Sequence, residues 1–322
     1  MTINAERCRA IAFSRYGGPD VLTDVDRPVP RPGAGELVVR VAAAALNPGD
    51  VWVREGRFRR FLKITMPFVP GYDVAGVVES VGAGARAFGV GDRVIAMQPL
   101  AVGGGYSTHT LVKAAHASLA PEGPFVAAAA LPLVGLTALQ GLRDRARLAS
   151  GQRLLVYGAA GGVGHLAVQV GGILGARITA VASARHTEFL GSLGAERFVD
   201  RDDAATLDGL APFDVVFDAV EKLPRSRALS WVRRGGTFLT VHPVLEKFMP
   251  DWLAWSRGGK HVRSVFVKPD GAGLAELREW MNAGRLRTSV QATYDLGNAA
   301  QAQQDLAEGQ VRGKLVLAVS EG

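Results

Sequence analysis

The sequence contains very little cysteine. Cys8 is the single cysteine among 322 residues, so the chain cannot form an internal disulfide or a thiolate zinc site. So low a cysteine content is typical of proteins in a reducing compartment. Residues 1–7 also lack the apolar run of a secretion signal. Together these absences predict a cytoplasmic protein.

A long uninterrupted hydrophobic run is absent as well. The longest apolar stretch, 125–142, is rich in alanine and glycine and is interrupted by Pro132, Thr137 and Gln140. A membrane span needs about 20 predominantly apolar residues. We therefore expect a buried helix in this stretch and no contact with a membrane.

Charge is not concentrated in any one segment. The 37 Lys and Arg residues exceed the 30 Asp and Glu residues, which gives a net charge of +7. These basic residues are scattered and do not alternate with aromatic residues, so the pattern argues against a nucleic-acid surface and for a solvated arginine-rich exterior. A hydrophobic content of 48% and a charged content of 21% are those of an ordinary folded protein.

The pattern of predicted secondary structure changes near Pro124. Before it, residues 8–121 form short β-rich runs separated by Gly and Pro, which is typical of a barrel or sandwich. After it, strands alternate with helical segments of about a dozen residues, the pattern of a parallel sheet. Its six candidate strands, which would complete a doubly wound sheet of the Rossmann type, are Leu154 to Gly158, Ile178 to Ser183, Arg197 to Asp200, Val215 to Val220, Thr237 to His242 and Val262 to Val267.

The C-terminal segment should return to the first domain because the six-strand sheet is already complete. From Pro269 onwards an amphipathic helix and a final strand, 314–319, remain. We therefore predict an α/β protein with two domains. Residues 1–124, completed by 268–322, form the β domain, and residues 125–267 form the nucleotide-binding domain.

A glycine-rich turn follows the first of the six strands, in the sequence Leu154-Leu155-Val156-Tyr157-Gly158-Ala159-Ala160-Gly161-Gly162-Val163-Gly164. Bare N–H groups and the positive end of a helix dipole at such a turn bind a pyrophosphate. Ala159 replaces the first glycine of the strict fingerprint, but the placement between strand and helix supports dinucleotide binding. The expected contacts are Ala160, Gly161, Gly162 and Val163. The alternative is a turn that serves only close helix–sheet packing.

The end of the second strand indicates which dinucleotide binds. An NAD site usually has an acidic residue about 20 residues after the turn, to bond the ribose 2′-hydroxyl. Here no acidic residue occurs from Gly158 through Thr187. Ser183 and Arg185 could instead bond a 2′-phosphate, so we predict NADP(H). A solvated Arg185 is the alternative.

With these residues the chain resembles the medium-chain dehydrogenase/reductase superfamily, and within it the zinc-free, quinone oxidoreductase-like branch. The matching segments run nearly end to end: Asn47 to Asp50, Pro70 to Gly76, Gly91 to Val94, Leu136 to Ala138, the turn at 159–164, Phe213 to Asp218, and Gly313 to Leu317. The resemblance implies a GroES-like β domain around a Rossmann domain, usually as a homodimer.

The resemblance also implies a metal-free site. Asn47 stands where zinc-dependent relatives have a cysteine ligand, and Tyr72 and Asp73 replace their His-Glu pair. Asn47, Asp50, Trp52 and Tyr72 become the catalytic candidates. Asn47 could donate to a developing oxyanion or simply form a turn, and Trp52 could stack on a flat acceptor but cannot deliver a proton. Tyr72 could deliver it or carry a structural hydroxyl.

Other positions match cofactor contacts of the family or end parallel strands, where ligands bind. They are Thr137, His242, Phe266, Val267, Arg312 and Lys314. Helix packing for Thr137, and solvated charges for the two basic residues, are the alternatives. The bulky segments Phe58 to Phe68 and Phe248 to Trp255 could wall an apolar substrate pocket, bury a dimer contact or form core.

Without a Lewis acid, the best substrates are those that delocalise charge themselves. Quinones and enones or enals accept hydride to give a delocalised phenolate or enolate. The sequence therefore predicts an NADPH-dependent reductase of such small molecules. A non-catalytic NADPH-binding sensor or crystallin-like structural protein is the alternative.

Overall fold

The computed structural model describes residues 7–241, 255–256 and 259–320. The chain divides into two compact units. The first unit comprises residues 1–133, 268–283 and 288–322, and the second comprises 134–267 and 284–287. The sequence placed the boundaries after residues 124 and 267.

The N-terminal part of the chain consists mainly of strands. Its elements are β1 (Arg7–Ala12), β2 (Thr23–Pro28), β3 (Glu36–Ala45), α1 (Pro48–Arg54), β4 (Asp73–Val81), β5 (Arg93–Met97), β6 (His109–Lys113), β7 (Ala117–Leu119) and α2 (Phe125–Ala129).

In the middle of the chain, strands alternate with helices. The elements are α3 (Pro132–Leu139), β8 (Arg153–Tyr157), α4 (Gly162–Ile173), β9 (Arg177–Ala182), α5 (Thr187–Gly191), β10 (Arg197–Asp200), α6 (Ala204–Asp208), β11 (Phe213–Asp218), α7 (Arg225–Trp231), β12 (Val232–Thr240), β13 (Trp255–Ser256) and β14 (Lys260–Ser264). The C-terminal part adds α8 (Gly271–Asn282), β15 (Val290–Asp295), α9 (Ala299–Glu308) and β16 (Lys314–Ala318).

The main sheet of the first unit is built around β3. Its order is β15-β16-β3-β4-β5-β7, and β6 also pairs with β3. β3 is antiparallel to β16, β4 and β6, whereas β15 and β16 are parallel. Valine and leucine side chains from β3, β4 and β5 form a buried core cluster that includes Leu37, Val39, Val41, Val74, Val78 and Val94. The C-terminal strand is thus an interior strand of a sheet that begins near the N-terminus.

The sheet of the second unit has the order β10-β9-β8-β11-β12-β14-β13. The first six strands of this order are parallel, and β13 is antiparallel to β14. Numbered along the unit, the parallel strands follow the doubly wound order 3-2-1-4-5-6. Each of the six predicted strands overlaps one of them, so the predicted α/β fold class is confirmed. All their carboxyl ends meet at one edge of the sheet.

The apolar stretch 125–142 is not one helix. Pro132 begins α3, because proline fits the first helical turn but cannot continue the preceding helix. After α3 the backbone widens into a π-helical turn at Gln140–Arg145. The division between the two units falls inside this stretch, after Leu133.

Candidate functional site

The glycine turn lies at the carboxyl edge of the second unit's sheet, between β8 and α4. Gly158 has a φ of +76°, and a Cβ there would lie 2.4 Å from Val220 Cγ1. The N–H groups of Gly158 and Ala159 donate to Val181 O at 3.0 and 3.1 Å. The turn is therefore tied to the neighbouring strand β9, and its first residue must be glycine.

The structural reasons for glycine differ between positions 164 and 161. A Cβ on Gly164 would lie 2.2 Å from Gly158 O, so α4 packs on the turn only because this residue is glycine. A Cβ on Gly161 would meet Gly158 O at 3.4 Å and Val220 Cγ1 at 3.8 Å, which are ordinary contacts. Gly161 also has an ordinary φ of −79° as the N-cap of α4. Internal packing thus explains Gly158 and Gly164 but does not explain Gly161.

The N-terminus of α4 has the properties that a pyrophosphate group requires. The helix has no acidic residue in its first turn, and Gly162 and Val163, which begin it, are half-buried. The first N–H groups of a helix have no intrahelical acceptor, and the dipole there is positive. A dinucleotide pyrophosphate fits this end of the helix.

The predicted 2′-phosphate residues lie one strand away, beyond β9. Ser183 is half-buried directly after the strand, and Arg185 is exposed with its Nε donating to His186 Nε2 at 3.2 Å. The N–H of Arg201 donates to Ala182 O at 2.8 Å, which brings a second exposed arginine beside Ser183. The sequence analysis missed Arg201, because only the pairing of β10 with β9 brings these residues together.

Asp218 is a further residue that sequence reasoning did not assign to the site. It is buried at the end of β11, and its carboxylate accepts the N–H groups of Val220 and Leu223, both at 3.2 Å. Burial raises its pKa, and these hydrogen bonds oppose the rise. Asp218 thereby fixes Val220, whose side chain packs against Gly158. An acidic residue at the end of an apolar strand was the available signal.

In the first unit, Asn47 and Asp50 organise the start of α1. Asn47 caps the helix in an extended conformation, and its N–H donates to Asp50 Oδ2 at 2.7 Å. The N–H of Gly71 donates to Asp50 Oδ1 at 2.9 Å. Asp50 is fully buried, and burial raises its pKa from 3.8 to about 7 despite these hydrogen bonds.

Lys314 reaches the same region from β16. Its Nζ donates to Leu46 O at 2.6 Å and to Asn47 Oδ1 at 2.5 Å, and it lies 3.4 Å from Asp73 Oδ2. Burial lowers the pKa of Lys314 and raises that of Asp73. The three hydrogens of the ammonium are therefore engaged inside the first unit, and a contact to a cofactor would require one of them to be released.

The hydrogen-bond donors of the Asn47 side-chain amide are also fully engaged. Its Nδ2 donates to Ala45 O at 3.3 Å and to Asp73 Oδ2 at 2.9 Å. Asp73 Oδ1 accepts the N–H of Leu133 at 2.7 Å. We refer to Asn47, Asp50, Asp73 and Lys314 as the buried polar network. Its members hold one another, and Asn47 has no spare donor in this arrangement.

Aromatic and aliphatic residues pack on one side of this network. Phe13, Val21, Val53, Phe68 and Tyr72 form a buried cluster, the Tyr72 cluster, against which Phe58, Leu62, Ile64, Met66, Leu100 and Leu133 pack. Trp52 is half-buried, and its ring meets that of Phe58 edge-on at 6.0 Å between centroids. The Tyr72 hydroxyl is buried without a hydrogen-bond partner among the described residues, and burial raises its pKa well above 10.0.

Arg54 was not predicted from the sequence, yet its side chain is almost completely buried. Its Nε donates to Gln303 Oε1 at 2.7 Å, and a guanidinium nitrogen donates to Gly17 O at 2.5 Å. Burial lowers its pKa. The residue joins α1 to α9, a contact between positions too distant in sequence for any local pattern to reveal.

The remaining candidates are dispersed. Thr137 is buried on α3, and Phe266 and Val267 follow β14 at the carboxyl edge of the second unit's sheet. Arg312 is exposed in the first unit, where its N–H donates to Gln291 Oε1 at 2.7 Å. His242 lies outside the described residues, as does 248–254 of the aromatic stretch. The described residues contain no group of three or more His, Cys, Asp and Glu that could hold a metal ion.

Comparison with known proteins identifies the family. Residues 33–122 match the alcohol dehydrogenase GroES-like domain, and residues 193–317 match the zinc-binding dehydrogenase family. A chloroplast envelope quinone oxidoreductase homolog of Arabidopsis thaliana is 30% identical over 322 residues, covering 96% of this chain and 97% of its own. The chain belongs to the quinone oxidoreductase-like medium-chain dehydrogenases/reductases.

Other members of this family agree with the assignment. The NADPH-dependent alkenal/one oxidoreductase of Arabidopsis thaliana chloroplasts is 31% identical, over 96% of this chain and 79% of its own. The structure of the quinone oxidoreductase from Coxiella burnetii has a TM-score of 0.87 at 28% identity, covering 98% of this chain and all of that one. The predicted family is thus confirmed, and this medium-chain dehydrogenase/reductase is an oxidoreductase of the nicotinamide-dependent class. No helix in the described residues is long and apolar enough to span a membrane.

Proposed function

We propose that this protein is an NADPH-dependent reductase that transfers hydride to quinones or α,β-unsaturated carbonyl compounds without a metal ion. The observation that carries the proposal is Gly161. Neither its φ nor its packing needs glycine, so the missing side chain is best explained by a ligand that approaches the backbone. Ala160, Gly161, Gly162 and Val163 would hold the pyrophosphate. Bound NADPH supplies the hydride.

The preference for NADPH rests on the charges beyond β9. Ser183 offers a hydroxyl, and Arg185 and Arg201 offer guanidinium groups, which bond phosphate in a bidentate manner. No carboxylate lies between Gly158 and Thr187 to bond a ribose hydroxyl or to repel a 2′-phosphate. We infer that the adenosine 2′-phosphate binds here.

The metal-free character rests on the chemistry of the buried polar network. Zinc prefers thiolate and imidazole ligands, whereas this network offers an amide, two carboxylates and an ammonium. The Lys314 ammonium already provides the cationic partner of Asp73. A second cation placed there would be repelled, so the residues do not fit zinc.

The acceptor class follows from the apolar surroundings and from the names of the relatives. The half-buried rings of Trp52 and Phe58 meet edge-on beside the Tyr72 cluster. This aromatic surface suits a flat apolar acceptor. The two Arabidopsis relatives are named for quinones and for alkenals or enones. We propose that Trp52 contacts the acceptor, whereas Asn47 and Asp50 position the helix that carries it.

The buried Tyr72 hydroxyl is our candidate for the proton that completes the reduction. Tyr72→Phe removes this group while keeping the ring. If Tyr72 donates the proton, kcat should fall with KM nearly unchanged. Unchanged kinetics would assign the hydroxyl a structural role.

The cofactor site is tested with Gly161→Ala. Because the new methyl group meets only ordinary contacts within the protein, we expect the unfolding temperature to stay nearly constant. The Kd for NADPH, measured by fluorescence titration, should rise at least about tenfold, an effect of roughly 1.4 kcal/mol. An unchanged Kd would remove the turn from the binding site.

The cofactor preference is tested with Ser183→Asp combined with Arg185→Ala. This variant should shift the ratio of kcat/KM for NADPH and NADH towards NADH, because a carboxylate repels the 2′-phosphate. Arg177→Ala, at the opposite end of β9, is the matched control and should leave the ratio unchanged. A panel of quinones and enones provides the acceptors. Tight NADPH binding without turnover of any of them would favour a non-catalytic role.

A further inference from the structure

The turn that follows α1 has two chemically different faces. Its backbone hydrogen bonds include those from the N–H of Arg57 to Trp52 O at 2.9 Å and from the N–H groups of Phe61 and Leu62 to Phe58 O, both at 2.8 Å. Phe58 and Leu62 pack inwards on the Tyr72 cluster. The inward face therefore anchors the turn and determines which side chains point outwards.

The outward face combines cations with an exposed aromatic ring. Arg57, Arg59, Arg60 and Lys63 are exposed, and Phe61 is 66% exposed. We call these five residues the basic turn. Arg57 pairs with Glu55 at 2.7 Å, whereas Arg59, Arg60 and Lys63 form no ion pair with another described residue. Three cations on this turn are therefore available to an external anion.

We propose that the basic turn docks the protein onto the surface of an anionic lipid bilayer. Each Lys or Arg near such a surface contributes about 1 kcal/mol, and an aromatic ring at the tip gains further free energy by entering the headgroup region. An exposed turn that combines one aromatic ring with several cations fits this negatively charged partner. The contact is peripheral, and it departs from the sequence-based expectation of no membrane contact.

A single-stranded nucleic acid fits this surface less well. Such ligands bind grooves in which several aromatic rings stack successive bases. In the basic turn one ring is exposed, because Phe58 packs inwards and meets Trp52 edge-on.

The test is co-sedimentation of the full-length protein with vesicles. We expect binding to vesicles of phosphatidylglycerol mixed with phosphatidylcholine, little binding to phosphatidylcholine alone, and weaker binding as salt screens the charges. Arg59→Ala combined with Arg60→Ala should weaken binding roughly 30-fold, from about 1 kcal/mol per charge. Phe61→Ser should weaken it several-fold.

Matched controls lie near the opposite end of β3, a strand about 30 Å long. Arg31→Ala combined with Arg86→Ala removes two exposed charges, and Val90→Ser removes an apolar side chain that is 71% exposed. Neither control should weaken vesicle binding as the basic-turn variants do. Circular dichroism melting would establish that every variant is folded.

Three outcomes would overturn the proposal. The first is equal binding to neutral and anionic vesicles, and the second is an equal loss in the Arg31/Arg86 control. The third is unchanged vesicle binding in the Arg59/Arg60 variant. If that variant also lost binding to a single-stranded RNA homopolymer, the basic turn would be assigned to nucleic acid.

Discussion

At the scale of single residues, Lys314 has the largest expected effect on stability. Its ammonium and the Asp73 carboxylate are both buried, 3.4 Å apart. Removing one partner of a buried pair leaves the other charge without compensation, which costs about 3–5 kcal/mol. We expect Lys314→Met to lower the free energy of unfolding by about that amount, measured by urea denaturation.

The same reasoning provides the controls for Lys314→Met. Adding Asp73→Asn should recover part of the loss, because the uncompensated carboxylate is then gone. Arg227→Met removes one partner of the exposed pair with Asp208 and should cost less than about 1 kcal/mol. An effect of Lys314→Met as small as that of Arg227→Met would mean that the buried pair contributes little.

Asp50 predicts a specific dependence of stability on pH. Its pKa of about 7 in the folded protein lies above the ordinary value of 3.8, so the folded state binds the proton more tightly. The resulting stabilisation is complete below about pH 4 and is lost as the pH rises to about 7. The slope reaches at most about 1.4 kcal/mol per pH unit.

Asp50→Asn should abolish this part of the pH dependence. The variant should also be less stable overall, because an amide offers one acceptor to the N–H groups of Asn47 and Gly71, which now donate to two oxygens. Asp24→Asn, which alters an exposed carboxylate, should keep the slope of the unmodified protein. The measurement is the free energy of unfolding at several pH values, and a slope retained in Asp50→Asn would contradict the assignment.

Single residues are also where the sequence was least informative. The motif containing Asn47 and Asp50 identified both as important, and Lys314 was recognised as a basic position. Their mutual contact was not predictable, because Lys314 and Asn47 are 267 positions apart and the ammonium could equally have pointed to solvent. Arg54 and Gln303 gave no signal, since nothing local distinguishes a buried arginine from an exposed one.

At the scale of elements, helix α4 offers a comparison of two glycines. Gly164→Ala would place a methyl group 2.2 Å from Gly158 O, and backbone atoms cannot rotate away. We expect a loss of about 1–3 kcal/mol in stability, and weaker NADPH binding because α4 must shift.

Gly172 on the same helix is exposed, and a methyl group added to it would meet no atom of another element within 4 Å. Gly172→Ala should therefore be neutral or stabilise the protein by up to about 1 kcal/mol, because alanine has the higher helix propensity and this position in the last turn of α4 has free space beside it. Thermal unfolding and NADPH titration measure both effects. Equal losses in the two variants would show that helix propensity, and not the contact with Gly158, decides the outcome.

Elements were the most predictable level of the structure. Runs of β-branched residues bounded by glycine and polar residues located the six parallel strands, with β9 and β10 predicted to within one residue of their ends. The apolar stretch 125–142 was less predictable. A fully buried segment has no hydrophobic periodicity, so the break at Pro132 and the wider turn after α3 leave little trace in the pattern.

At the scale of the whole molecule, the two units should differ in their tolerance of C-terminal truncation. A chain that ends at Val311 lacks β16, so β3 loses a strand partner and Asp73 loses its cation. The sheet of the second unit, β8 to β14, is untouched. We expect limited proteolysis, read by mass spectrometry, to degrade the first unit and spare the second. Equal resistance of both units would contradict this expectation.

The position of β16 has a consequence for how the protein is made. The parallel strands of the second unit lie between residues 153 and 264, whereas the sheet begun by β3 stays incomplete until residues 314–318 pair with it. On the ribosome, the middle of the polypeptide can therefore fold before the beginning does. The nascent segment that carries β3 must wait, with apolar surface uncovered, until residues 314–318 have been synthesised, and exposed apolar surface of this kind is what chaperones bind.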